Sequence, residues 1–320
     1  MQKILTITLN PALDLSTSVE RMQANRKLRC AGAVLEPGGG GVNVSRVIRR
    51  FGGRSTAFVA LGGPTGRTLR ELMEREGLEL AEFPIAGHTR QDVTVDETAH
   101  GRQYRLVLQG PHWKAREVRA ALDEIERLAA HHEYVVASGS LPPGVPVDLY
   151  ARIARMVHRQ GGRFVLDTSG PPLRKALEAG VFVVKPNHIE FRDLAGTSRS
   201  DWKSMARVGR RLQERGQAEM MIVTRGALGA LAILPPNVQH GGAWRLHAPE
   251  GKVVSMIGAG DSLIGAAVSA IARGRPLLEA CRLGVAAAAA AVRSPGTELA
   301  GRTKTLRLAR RIKMWQVGEN

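Results

Sequence analysis

The chain has 320 residues, 43% of them hydrophobic, and carries 46 Lys plus Arg against 29 Asp plus Glu, a formal charge of +17. That length buries a large core in one or two domains, and a content of only two cysteines, Cys30 and Cys281, excludes a disulfide-stapled scaffold and fits a reducing, cytoplasmic setting. The longest apolar run, 283–292, is too short for a membrane span. The basic residues are dispersed among few aromatics, so solvated surface is the expectation and nucleic acid is not an expected partner.

In chain order, residues 1–9 are too short and polar for a signal peptide, and 3–9 read as a first core strand. Strands are further predicted at 55–61, 133–137, 163–167, 181–185 and 220–224 by their continuous apolar runs. Helices are predicted at 42–51, 67–76, 115–129, 147–158, 202–215, 261–273 and 277–292. This alternation predicts an α/β fold whose mainly parallel central sheet is covered on both faces. Ligands then collect at the carboxyl ends of the strands. Segments 15–36 and 88–108 lack helical periodicity. The second alternates Asp92-Val93-Thr94-Val95-Asp96, turns at His100-Gly101, and returns through Gln103-Tyr104-Arg105-Leu106-Val107, a hairpin pattern. Together they predict a small β lid, about 12–36 and 88–109, on a single domain spanning 1–320. Val93, Val95, Leu106 and Val107 would leave part of that lid's apolar face uncovered, which predicts a homodimer through the lids.

The sharpest local signal is Ser255-Met256-Ile257-Gly258-Ala259-Gly260-Asp261-Ser262, a Gly-rich turn running into a helix. Glycines and a helix N-terminus make an anion hole. Asp261 beside it can accept a hydroxyl proton, and the pair suits phosphoryl transfer to an alcohol. The competing reading makes Asp261 a helix N-cap. Glu36-Pro37-Gly38-Gly39-Gly40-Gly41-Val42-Asn43 lets a ligand approach the main chain and offers an amide to hydroxyls, but it is neither a Walker loop nor a dinucleotide fingerprint. In Lys185-Pro186-Asn187-His188-Ile189-Glu190, Asn187 and Glu190 either face a Mg²⁺ shell and phosphates or form a capping box. Thr224-Arg225-Gly226-Ala227-Leu228-Gly229 and Ser138-Gly139-Ser140-Leu141-Pro142 are turns at strand ends. Asp14, Lys27, Arg29, Arg90 and Arg105 fall in or near the lid, where a lone charge is more often simply solvated.

These motifs, with Thr8-Leu9-Asn10-Pro11-Ala12-Leu13-Asp14 and Thr89-Arg90, occur in an order that resembles the PfkB branch of the ribokinase-like sugar kinases over essentially the whole chain. Within the branch, Lys27-Leu28-Arg29-Cys30, Glu36-Pro37 and Gln103-Tyr104-Arg105 resemble the minor 6-phosphofructokinases most, with 1-phosphofructokinases and tagatose-6-phosphate kinases as near relatives. The resemblance implies a three-layer sandwich with a β lid and ATP-dependent phosphorylation of a ketohexose phosphate, fructose 6-phosphate foremost. Asp261 would be the base, and Gly258, Ala259 and Gly260 the anion hole. Asp14, Gly39, Gly40, Asn43 and Ser140 would hold the sugar, and Lys27, Arg29, Arg90 and Arg105 its phosphate. Lys185, Asn187, Thr224, Gly226 and Gly229 would line the nucleotide, with Glu190 acting on Mg²⁺ through water. Ser255, Ile257, Ala291, Ser294, Gly296 and Glu298 match the positions that hold a monovalent cation, K⁺; Ser294 and Glu298 stand where the resembled pattern has Asn and Arg. A non-catalytic sugar-phosphate sensor and a basic nucleic-acid-associated protein are the readings from other classes; the intact Gly258-Ala259-Gly260-Asp261 argues against lost catalysis.

Overall fold

A computed structural model describes residues 4–196, 201–294 and 298–318. The chain begins with β1 (Ile4–Thr8), β2 (Ala12–Val19), β3 (Val34–Gly38), α1 (Gly40–Arg50), β4 (Thr56–Leu61), α2 (Gly63–Arg75), β5 (Glu79–Pro84), β6 (Arg90–Glu97) and β7 (Arg102–Leu106). The middle runs through α3 (Ala115–Ala129), β8 (Tyr134–Ser138), α4 (Leu149–Arg159), β9 (Arg163–Asp167), α5 (Gly170–Glu178), β10 (Val181–Val184), α6 (His188–Ala195) and α7 (Trp202–Glu214). It closes with β11 (Ala218–Thr224), β12 (Ala230–Leu234), β13 (Gly242–His247), α8 (Ala259–Ile271), α9 (Leu277–Ala291), α10 (Arg302–Ala309) and β14 (Lys313–Gln316).

Strands β1, β8 and β10 are buried at every position, as strands covered on both faces must be. They belong to a ten-stranded sheet in the order β14-β13-β12-β11-β10-β9-β8-β1-β4-β5. Pairing is parallel from β5 through β11 and antiparallel from β11 to β14. One core cluster joins α1, α8 and α9 to one face, and another joins α3, α4, α5 and α7 to the opposite face. Helices α8 and α9 are apolar nearly all round and accordingly buried, α8 between α1 and α9, and α9 against α10 and strands β12 and β13.

The second sheet is four-stranded, in the order β3-β2-β6-β7, and comes from the two segments that broke the helix–strand alternation. Its register sets Asp14 of β2 between Glu36 of β3 and Asp92 of β6. Of its apolar residues, Val95 is buried and Val93 partly so, contrary to the expected exposure, whereas Leu106 and Val107 face solvent. Elements β5, α5 and α10 and the strands β13 and β14 exceed the predicted set. Strand β5 is an edge with exposed Glu79 and Glu82, so its pattern is too polar to signal a strand.

Candidate active site

Helix α8 starts at Ala259, two residues before the expected start, because Gly258 takes the left-handed conformation (φ 68°) and serves as its N-cap. Asp261 therefore lies inside the first turn, and the N-cap reading of it is overturned. Its carboxylate turns away from its own helix. Asn43 donates Nδ2 to Oδ2 at 3.0 Å, and Ser138 donates Oγ to Oδ1 at 3.2 Å. Burial and the nearby Asp167 push its pKa up to about 6, against the pull of Asn43, Lys185 and Ser138. At neutral pH it remains mostly ionised and has a base's affinity for a proton. The first N–H groups of α8 have no preceding turn to accept them. A cleft of about 270 Å³ opens beside them, lined among others by Gly39, Gly40, Asn43, Ser140, Gly258 and Asp261.

On the sugar side, α1 brings Asn43 to the base. A side chain on Gly40 would run into Ser138, so the glycine lets α1 begin directly against the end of β8. Arg46, one turn after Asn43, is buried and orders the region. Its Nη1 donates to Oδ1 of Asn43 at 3.2 Å, leaving the amide Nδ2 for Asp261. The same guanidinium pairs with Glu76 at 2.7 Å and Glu36 at 3.3 Å. Asp14 is buried with its Oδ1 unpartnered, and its pKa is raised to about 7 by burial and by Asp92, against Arg105, Arg90 and Arg46. Arg90 pairs with Asp92 at 3.0 Å and Arg105 lies 4.0 Å from the other oxygen, so both guanidiniums line the cleft around one carboxylate. Ser140 accepts from Asn10 at 3.1 Å at the cleft's rim.

On the opposite side, Lys185 at the end of β10 reaches Asp167 at 3.0 Å and lies against Gly260. Burial pulls its ammonium down, but Asp167, Glu190 and Asp261 together hold it above its usual range. The Asn187–Glu190 capping box forms: Asn187 Oδ1 accepts from the Glu190 N–H at 2.9 Å, and Glu190 Oε2 from the Asn187 N–H at 2.8 Å. Glu190 nonetheless lines the cleft, and burial raises its pKa. Its carboxylate faces the Lys185 and α8 corner, and a half-buried anionic oxygen donor there fits a hydrated divalent cation. Thr224 bridges to Asn187, and Gly226 and Gly229 follow in the exposed turn before β12.

Not every expected residue meets in this cleft. Lys27 and Arg29 are exposed on the segment joining β2 to β3 and do not line it. Ser255, Ile257, Ala291 and Ser294 are buried beside the start of α8, Glu298 is exposed, and Gly296 lies outside the described residues. Next to this group the ammonium of Lys304 is held by the Arg293 carbonyl at 3.1 Å and Ser294 Oγ at 3.2 Å. Ser294, one of the positions expected to hold a free monovalent cation, is thus already engaged by a cation of the chain's own.

Ser138, Asp167, Asp92 and Arg46 were not anticipated. The first two end buried strands on the ligand side, where strand-end polar residues repay attention. Arg46 carried a signal too, a charge on the apolar face of an amphipathic helix.

The pfkB family carbohydrate kinase model matches residues 3–304. The chain is 39% identical over 300 residues to an ATP-dependent 6-phosphofructokinase isozyme 2 of Mycobacterium tuberculosis, covering 94% of this chain and 87% of the relative. It is 35% identical over 297 residues to a 1-phosphofructokinase of Bacillus subtilis, covering 92% and 95%. The phosphofructokinase-2 of Escherichia coli, solved in complex with potassium, superposes with a TM-score of 0.91 at 33% identity over 97% of this chain and 99% of that one. The same enzyme has also been solved in a tetrameric inhibited form.

Proposed function

The chain belongs to the pfkB family of carbohydrate kinases and is a sugar-phosphate kinase, and we propose that it transfers the γ-phosphoryl group of ATP to the 1-hydroxyl of fructose 6-phosphate. The observation that carries this reading is Asp261. It is a carboxylate of raised pKa, steered by Asn43 and Ser138, in the first turn of a helix whose N–H groups face the same cleft.

In this reading Asp14, Asn43, Ser140 and the backbone at Gly39 and Gly40 hold the sugar hydroxyls. Asp261 takes the proton of the 1-hydroxyl, whose oxygen bonds to the γ-phosphorus as the bond to the β–γ bridging oxygen breaks and ADP leaves. The N–H groups of Gly258, Ala259 and Gly260 and the α8 dipole meet the charge spread over the transferring oxygens. Lys185, Asn187, Thr224, Gly226 and Gly229 line the nucleotide phosphates, with Asp167 steering Lys185. Mg²⁺ bound with ATP would be approached by Glu190 through water and would offset phosphate charge. Arg90 and Arg105 neutralise the 6-phosphate already on the sugar, bidentate pairing being what guanidinium offers phosphate.

Residues 1–320 are read as one kinase domain with 12–36 and 88–109 as its lid, working as a homodimer in the cytoplasm. Among the described residues, no helix is long and apolar enough to cross a membrane. The test is turnover with ATP against fructose 6-phosphate, fructose 1-phosphate, tagatose 6-phosphate and fructose, with Asp261→Asn as control. The reading requires the highest kcat/KM for fructose 6-phosphate. A preference for fructose 1-phosphate or tagatose 6-phosphate would move the chain to those neighbouring activities, and equal use of fructose would remove the phosphate pocket.

A further inference from the structure

Val292, Leu299 and Ala300, which follow α9, lie against the turn at the anion hole. The Ala300 N–H donates to Ser262 Oγ at 3.3 Å, Leu299 lies against Gly258, and Arg50 holds the Leu299 carbonyl at 2.7 Å. The carbonyl of Val292 accepts from the N–H groups of Val254, at 2.7 Å, and Ser255, at 3.3 Å. A positive charge beside these residues is therefore well placed to stabilise the turn that presents Gly258, Ala259 and Gly260.

Lys304 supplies such a charge. It sits in the first turn of α10, where a cation opposes the helix dipole. A lysine there is unfavourable unless oxygens compensate, and two do: the Arg293 carbonyl and Ser294 Oγ. Two of the donors expected for a free ion have other engagements. Ser294 Oγ also donates to the Ala290 carbonyl at 3.3 Å, and the Ala291 carbonyl accepts the Ser294 N–H at 2.9 Å. An alkylammonium resembles a monovalent cation chemically, since both are bound by neutral carbonyl and hydroxyl oxygens, but the lysine is tethered and cannot be diluted away.

We propose that the Lys304 ammonium takes the place of a free monovalent cation beside the anion hole, so that this kinase works without K⁺. The inference rests on the assignment of Gly258–Gly260 as the anion hole. It makes Lys304 a positioning residue that touches no substrate.

The experiment compares wild type and Lys304→Met in choline chloride and in KCl at matched ionic strength, reading both turnover and thermal unfolding. Wild type should show the same kcat and the same Tm in both salts. In choline chloride Lys304→Met should lose turnover by roughly 10–100-fold, the usual cost of removing a group that acts on a site from one shell out. KCl or NH₄Cl should then restore turnover and raise the variant's Tm saturably, as a newly opened ion site requires. A saturable rise of wild-type kcat or Tm with K⁺ overturns the proposal, and this arm needs no variant to fold. A Lys304→Met enzyme equally impaired in both salts overturns it too, because the lysine is then only a clamp. The Tm arms report ion binding without turnover, so they stay readable if the sugar assignment itself fails.

Discussion

Asp261 decides between a kinase and a binding protein on the same fold. Asp261→Asn should leave folding and ligand binding in place and cut kcat by about 10²–10⁴-fold, the usual contribution of a general base. Because the working form is the carboxylate and its pKa is about 6, kcat of the wild type should fall on the acid side of that value. Ser138→Ala removes a hydrogen bond to the charged form, so the acid limb of the pH–rate profile should move upward; an unmoved limb would detach it from Asp261. Asp14 offers an opposite experiment, on stability. Its pKa rises from 3.8 to about 7 on folding, so the folded chain binds its proton more tightly than the unfolded one. That protonation favours the fold at low pH, and the advantage is lost as pH rises towards 7. Asp14→Asn should therefore raise Tm more at pH 8 than at pH 5 while raising KM for the sugar phosphate. Asp261 and its glycines were legible in sequence because their spacing repeats a local chemistry. Ser138, Asp92 and Asp167 were not, because they join the site only through strands that neighbour each other in space.

At the level of elements, α1 transmits order from the lid to the base. Its Arg46 is buried with guanidinium contacts to Glu36, Glu76, the Pro37 carbonyl and Asn43. Arg46→Met would strand those acceptors. Breaking a buried pair costs about 3–5 kcal/mol, and the partial exposure of both glutamates puts the expectation near the lower end. Denaturant unfolding measures that loss. Turnover should fall further than stability explains, since the Asn43 amide loses the contact that aims Nδ2 at Asp261; an unchanged kcat in the folded variant would cut Arg46 out of the site. The helix pattern here was readable, but the identity of the buried arginine's partners was not, since Glu76 lies at the end of another helix. Likewise the alternation of apolar runs foretold the parallel strands of the large sheet other than β5, while β5, β13 and β14 were missed because they are only partly buried and carry less apolar sequence.

For the whole molecule, the unresolved demand of the single chain is the lid. Strands β3 and β7 are the two edges of the small sheet, and Val34, Leu35, Leu106, Val107 and Leu108 on or beside them are between 39% and 57% exposed. Unpaired edges carrying apolar side chains invite another copy of the same sheet. Lys27 and Arg29 give an independent reason for pairing. They lie on the connection between β2 and β3, outside their own cleft, yet a phosphorylated sugar profits from more positive charge than Arg90 and Arg105, which already share Asp92, can offer. Lid-to-lid pairing would carry those charges to the neighbour's cleft. Replacing Leu106 and Val107 together by Asp should therefore shift sedimentation velocity from a dimer or larger assembly to a monomer. It should also raise KM for fructose 6-phosphate well above any change in KM for ATP, because Lys185, Asn187 and Thr224, proposed to line the nucleotide, lie at or just beyond the ends of β10 and β11 of a single chain. Arg29→Ala should reproduce the KM effect without dissolving the assembly. A monomeric Asp variant with unchanged KM for the sugar phosphate would show that the lids pair, if they do, for stability alone.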